Sequence, residues 1–237
     1  MVGQERVHLL DDIRFEVDVD ALLSRLRVSP DSKDAESLTG LIGQARATAR
    51  PKAIYAECYV RKRTEETVEV DGAVLVSRVL RVNLDKVHRV FPFVATCGEE
   101  LEHIRGVRGD PLKEYWLEEI KASALGSAVA RVSEHIALNY RPGRMSSMSP
   151  GSLQDWPITQ QKQLFSLLGD VEGAIGVRLT DSFLMVPLKS VSGIHFPTET
   201  TFESCQLCRR EDCPGRRAPY DEHLWHTRYA RRAPGPV

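Results

Sequence analysis

No stretch of this 237-residue sequence approaches 18 uninterrupted apolar residues, so a membrane-spanning helix is not expected. The first residues, "MVGQERVHLLDDIRFEVD", are charged and lack the apolar core of a signal peptide. Charge of either sign is not in excess: 32 Lys and Arg stand against 33 Asp and Glu, a formal net charge of −1. The basic footprint of a nucleic-acid binder is therefore missing. There is no internal repeat and no low-complexity segment. Cysteines number only five, an odd count that argues against a disulfide framework. These absences lead to the expectation of a cytoplasmic protein without nucleic-acid or membrane partners. With 42% hydrophobic and 27% charged residues, the chain has the composition of a globular protein able to bury a core.

The order of elements is legible in outline. "IRFEVDV" (13–19) predicts a strand, followed by a helix from Val19 on Leu22, Leu23 and Leu26. The turn-rich 29–37 leads into a helix with Leu38, Leu41, Ile42 and Ala45 on one face, stopped by Pro51. "AIYAECYVRK", "ETVEVDG" and "AVLVSRVLRV" predict three strands. Asp71-Gly72 makes a tight hairpin between the last two, because both central residues of a type I′ turn need positive φ. "RVFPFVATCG" predicts a fourth strand, and "CGEELEHIRG" a short helix closed by Gly106. The longest helix starts at Asp110 as N-cap with Pro111 in its first turn and runs to Tyr140. A Ser-, Gly- and Pro-rich loop (141–157) precedes a helix with Asp155 as its expected cap and Gly169 as its stop. "GVRLTDSFLMVPLKSVSGIHFP" is strand-like on both sides of Pro187. Helices followed by antiparallel strands indicate α+β rather than alternating βαβ.

The segment 179–196, "LTDSFLMVPLKSVSGIHF", with Pro150 and Gly151 before it and a "Q…LF.LLG…GV" helix between, resembles the activation domain of vitamin B12-dependent methionine synthase. The matching residues are Pro150, Gly151, Leu179, Thr180, Asp181, Ser182, Phe183, Met185, Pro187, Ser190, Val191, Ser192, Gly193 and Phe196. The resemblance implies a C-shaped α+β fold around a twisted antiparallel sheet, spanning residues 1–200, with 201–237 as a separate cysteine-rich segment. It further implies docking over the cobalamin of a methionine synthase core or related corrinoid protein, in the presence of S-adenosylmethionine, to restore its methylated state. In the alternative reading the chain is a metal-binding scaffold for corrinoid proteins without redox chemistry. No D-x-H-x-x-G corrinoid signature is present, so the cobalamin belongs to the partner. The family's R-x-x-P-G-Y loop has Ser147 and Ser152 at its Arg and Tyr positions, and the nearest arginine is Arg144.

The ligand- or corrinoid-facing residues implied are Glu134, Arg144, Ser149, Pro150, Gly151, Ser152, Thr180, Asp181, Ser182, Ser190, Ser192 and Gly193. No catalytic residue is identified. "SCQLCRREDCPGRR" then places Cys205, Cys208 and Cys213 at C-x2-C-x4-C. That spacing fits neither a zinc knuckle nor a zinc ribbon. A 4Fe–4S cluster, a structural zinc and unmetallated thiols stay open. His223 and His226 are the nearest candidates for a fourth ligand, with His195, Cys97 and Cys58 farther off. Arginines 209, 210, 216, 217, 228 and 231 are expected to favour thiolates or offset cluster charge.

Overall fold

The computed structural model describes residues 6–213 and 215–230. Strand β1 (Val7–Leu10) comes first, and the strand expected over 13–19 is absent. Those residues have no ladder partner. Their alternating apolar side chains pack instead, Phe15 and Val17 against the helical cluster and Ile13 against the sheet. Helix α1 (Val19–Leu26) begins where the Asp18 carboxylate accepts the Ala21 N–H at 2.9 Å. Helix α2 (Lys33–Thr48) is capped in the same way by Ser32.

The long apolar run after Pro51 breaks at Glu57 into β2 (Lys52–Ala56) and β3 (Cys58–Arg63). Strands β4 (Thr67–Val70) and β5 (Ala73–Val76) form the expected hairpin, with Asp71 at φ 39° and Gly72 at φ 93°. The continuation "RVLRV" is not strand. Ser77 turns the chain by accepting the Leu80 N–H at 3.0 Å, and α3 (Arg78–Asn83) follows. Strand β6 (Arg89–Thr96) leads to a short 3-10 turn at Glu100–His103 and then to α4 (Pro111–Tyr140), capped by Asp110 as expected.

Part of the 141–157 loop is strand β7 (Met145–Met148). Helices α5 (Gln161–Ser166) and α6 (Val171–Ile175) follow, then β8 (Arg178–Leu179), β9 (Met185–Val186) and β10 (Ser190–Pro197). Asp155 does not cap α5. Its Oδ2 accepts the Ser77 hydroxyl and the Val79 N–H (3.0 Å), so it serves the first turn of α3.

β6 is the spine of an eight-stranded antiparallel sheet. One edge pairs with β10, which carries β7; the other pairs with β2 and β3 in succession, where the sheet forks to β1 and to the β4–β5 hairpin. The strands alternate faces. Phe91, Phe93, Ala95, Ala53 and Tyr55 pack under Ala128, Val132 and Ile136 of α4. Val90, Val94 and Ile54 point the other way, into a core with Trp156, α5, α6, Phe202 and Tyr229. The α+β architecture read from the sequence is thus the one observed.

Candidate functional site

The matched residues divide between two places. Around β10 and β7 the packing is tight. A Cβ built on Gly193 would come within 2.7 Å of the Met148 carbonyl, 2.8 Å of Ser149 Oγ and 3.0 Å of the Phe93 ring. Only glycine lets Met148 and Ser149, which lead into the Pro150–Gly151 turn, lie this close to β10. The turn is fastened at Gly151, whose N–H donates to the Trp156 carbonyl at 2.7 Å, and at Ser152, whose hydroxyl donates to the Ser149 carbonyl at 2.6 Å. Ser152 Oγ also lies 3.3 Å from Ser204 Oγ, which ties this loop to the cysteine segment.

His195, two residues along β10 from Gly193, stacks on Phe93 with ring centroids 4.4 Å apart. Its Nε2 is buried and has no hydrogen-bond partner among the described residues. Burial, reinforced by the Arg217 guanidinium, lowers its pKa to about 4. The imidazole is therefore neutral at pH 7.

The second place is the β8–β9 hairpin. Thr180 closes it: its N–H donates to the Leu184 carbonyl (2.9 Å), and its Oγ1 accepts the Leu184 N–H (3.1 Å). Phe183 sits at φ 62°, and Asp181 and Ser182 point out at the tip, with Ser182 Oγ 3.1 Å from Thr180 Oγ1. A buried relay links hairpin and sheet. Ser192 Oγ donates to Gln161 Oε1 at 3.2 Å, and Gln161 Nε2 donates to the Phe183 carbonyl at 3.1 Å. Ser190 Oγ lies 2.7 Å from the Pro187 carbonyl and 2.9 Å from Thr96 Oγ1. The hydroxyls of Ser190 and Ser192 thus satisfy protein groups inside the fold, whereas Asp181 and Ser182 are exposed at the hairpin tip.

Two further residues lie apart. Glu134 is on α4, paired with Arg131 at 3.1 Å, beside a groove of about 690 Å³ whose lining includes Asp12, Arg14 and Glu16 but nothing from β10 or the 149–152 loop. Arg144 is exposed, its guanidinium donating to the Glu199 carbonyl at 2.9 Å.

Residues that the motif did not single out complete the picture. Leu184 (49% exposed) and Leu188 (75% exposed) flank β9 and put apolar surface beside Ser182. They stand at variable positions of the pattern, so the sequence offered only their hydrophobicity. Gln161, whose amide bridges helix, strand and turn, was not among the candidate site residues, although the matching helix begins with glutamine.

The proposed metal ligands are not gathered. Among the described residues no group of three or more His, Cys, Asp or Glu side chains is placed to hold a metal ion. Cys205, Cys208 and Cys213 are free thiols, and His223 and His226 are exposed on the following segment. The Arg216 guanidinium lies in the same loop, donating to the carbonyls of Cys205 (3.2 Å), Cys208 (3.1 Å), Ala218 (3.1 Å) and Arg210. Cys58 and Cys97 are buried within the core, where burial pushes their thiols up to about 12 and about 11. Neither approaches the loop as a fourth ligand, and Arg231 lies outside the described residues.

Residues 127–212 match a family model described as vitamin B12 dependent methionine synthase, activation domain. That span runs from the middle of α4 through β7, the 149–152 turn, the β8–β9 hairpin and β10 into the cysteine loop. Among solved structures, a crystal structure of the MetH reactivation domain bound to AdoHcy has the same fold. It shares 14% sequence identity, has a TM-score of 0.55, and the match covers 84% of this chain and 81% of that one. No curated protein sequence matches this one. No helix among the described residues is long and apolar enough to cross a membrane.

Proposed function

We propose, from the match of residues 127–212 to the methionine synthase activation domain model, that the chain docks over the cobalamin of a partner corrinoid protein and supports its reductive reactivation in the cytoplasm. The observation that carries this reading is the placement of the family match. It coincides with the turn, sheet strand and hairpin where Ser149, Gly151, Ser152 and Gly193 converge and where Asp181, Ser182, Leu184 and Leu188 are exposed. A corrinoid face is broad, apolar at its centre and rimmed by amides. Exposed leucines with adjacent hydroxyl and carboxylate groups suit it, the apolar groups gaining from burial and the polar ones meeting amide donors. The cobalamin itself is held by the partner, and no step is assigned to a metal on this chain.

S-adenosylmethionine is the expected methyl donor, and its sulfonium and amino group call for a carboxylate while its own carboxylate calls for a donor. Here one feature favours the second reading, a docking scaffold without methyl-donor binding. The loop has Ser147 and Ser152 in place of the family's Arg and Tyr, and the Arg144 guanidinium is engaged with the Glu199 carbonyl. The two readings separate by calorimetry. Binding of S-adenosylmethionine or AdoHcy at micromolar concentration supports the first; absence of heat, together with retained binding to a corrinoid protein, supports the second.

A further inference from the structure

Cys205 and Cys208 bracket a tight turn. The Cys208 N–H donates to the Cys205 carbonyl at 3.2 Å, closing a 3-10 turn over Ser204–Leu207. A turn of this kind holds the first and fourth Cα within about 7 Å, and a disulfide needs about 4.4–6.8 Å. The two sulfurs are not equivalent. Cys205 Sγ accepts the Arg217 N–H at 3.4 Å. Cys208 packs with Leu207 against the main core. Both are only partly buried, so a small reagent can reach them. Arg216 donates to the carbonyls of both residues and braces the turn. Cys213 follows the exposed Glu211 and Asp212, and its carbonyl accepts the Arg216 N–H at 3.0 Å.

We propose that Cys205 and Cys208 form a dithiol–disulfide couple that exchanges with low-molecular-weight disulfides. The Cys205 thiolate attacks one sulfur of the incoming disulfide, forms a mixed disulfide and releases the first thiolate. The Cys208 sulfur, having lost its proton, then attacks Cys205 Sγ and expels the second. The two cysteines give up two electrons and two protons, and one disulfide becomes two free thiols. The couple adjoins the candidate docking surface, since Ser204, the residue before Cys205, contacts Ser152. The proposal rests on the turn and its sulfur contacts and not on the docking role.

The test uses the full chain, purified reduced and without oxygen, then equilibrated in glutathione and glutathione disulfide mixtures. Peptide mass mapping is expected to show one intramolecular link, Cys205–Cys208, in both the wild type and C213S. C208S is expected to trap glutathione on Cys205, with at least tenfold less adduct on Cys208 in C205S. A link to Cys213, equal adducts in the two variants, or three thiols that stay reduced would overturn it. So would zinc or iron bound stoichiometrically to the reduced protein. The wild-type map decides the matter even where a serine variant fails to fold.

Discussion

His195 combines a buried ring, an unpartnered Nε2 and the Arg217 cation nearby. The folded state therefore disfavours its protonation, and its pKa falls from 6.5 to about 4. The unfolded chain takes up the proton first. The neutral histidine's contribution is thus complete above about pH 6.5 and is lost as pH falls toward 4. At about 1.4 kcal/mol per pKa unit, that is on the order of 3 kcal/mol. H195Q is expected to flatten the acid limb of a denaturant-midpoint profile between pH 6.5 and 4. An unchanged slope would show that the imidazole is not the group titrating. Gly193 gives a second residue-level prediction. G193A forces a methyl into the Met148 carbonyl and is expected to cost about 1–3 kcal/mol by urea unfolding, as overpacking does. A neutral effect would mean that β10 and β7 part easily.

At the scale of elements, α3 is held from both sides by groups far away in sequence. Asp155 caps its first turn, and Arg78 reaches the carbonyls of Tyr229 and Ala230. The Tyr229 hydroxyl donates to Asn83 Oδ1 at 2.9 Å. D155N is expected to lower stability by about 1–3 kcal/mol through the loss of charge-assisted bonds. Y229F is expected to cost a similar 1–3 kcal/mol, because it leaves a buried amide oxygen unpaired. Both are read from the shift in urea midpoint at constant slope.

These contacts also show what the sequence could and could not disclose. Asp110-Pro111 and Asp71-Gly72 act on the residues beside them, so their roles were readable from local chemistry. The strand expected at 13–19 and the strand continuation after Val76 failed because pairing depends on a partner. Residues 13–17 found none, and Ser77 found the Leu80 N–H. Asp155 has the form of a local cap but serves a helix 77 residues earlier. The motif located the Pro150–Gly151 turn, Gly193 of β10 and the β8–β9 hairpin. It could not tell that Ser190 and Ser192 point at protein groups while Leu184 and Leu188 face outward. The cysteine spacing suggested a metal, whereas the Arg216 guanidinium binds the carbonyls around the loop, a role invisible among so many arginines.

At the scale of the whole molecule, the sheet is covered by α4 on one face and by α5, α6 and the C-terminal segment on the other. The β8–β9 hairpin is left projecting, anchored through Gln161. The proposed docking role makes that hairpin the contact surface. L184D/L188D is expected to weaken binding to a corrinoid protein by at least tenfold while leaving the urea midpoint unchanged, since both side chains are exposed. The most direct measurement is anaerobic. A corrinoid partner in the cob(II)alamin state is mixed with S-adenosylmethionine and a low-potential reductant, with and without this chain, and its visible spectrum is followed. The proposed role predicts methylcobalamin forming at least tenfold faster with the chain present, and no such gain with L184D/L188D. A rate equal to that of the reductant-only control would contradict it.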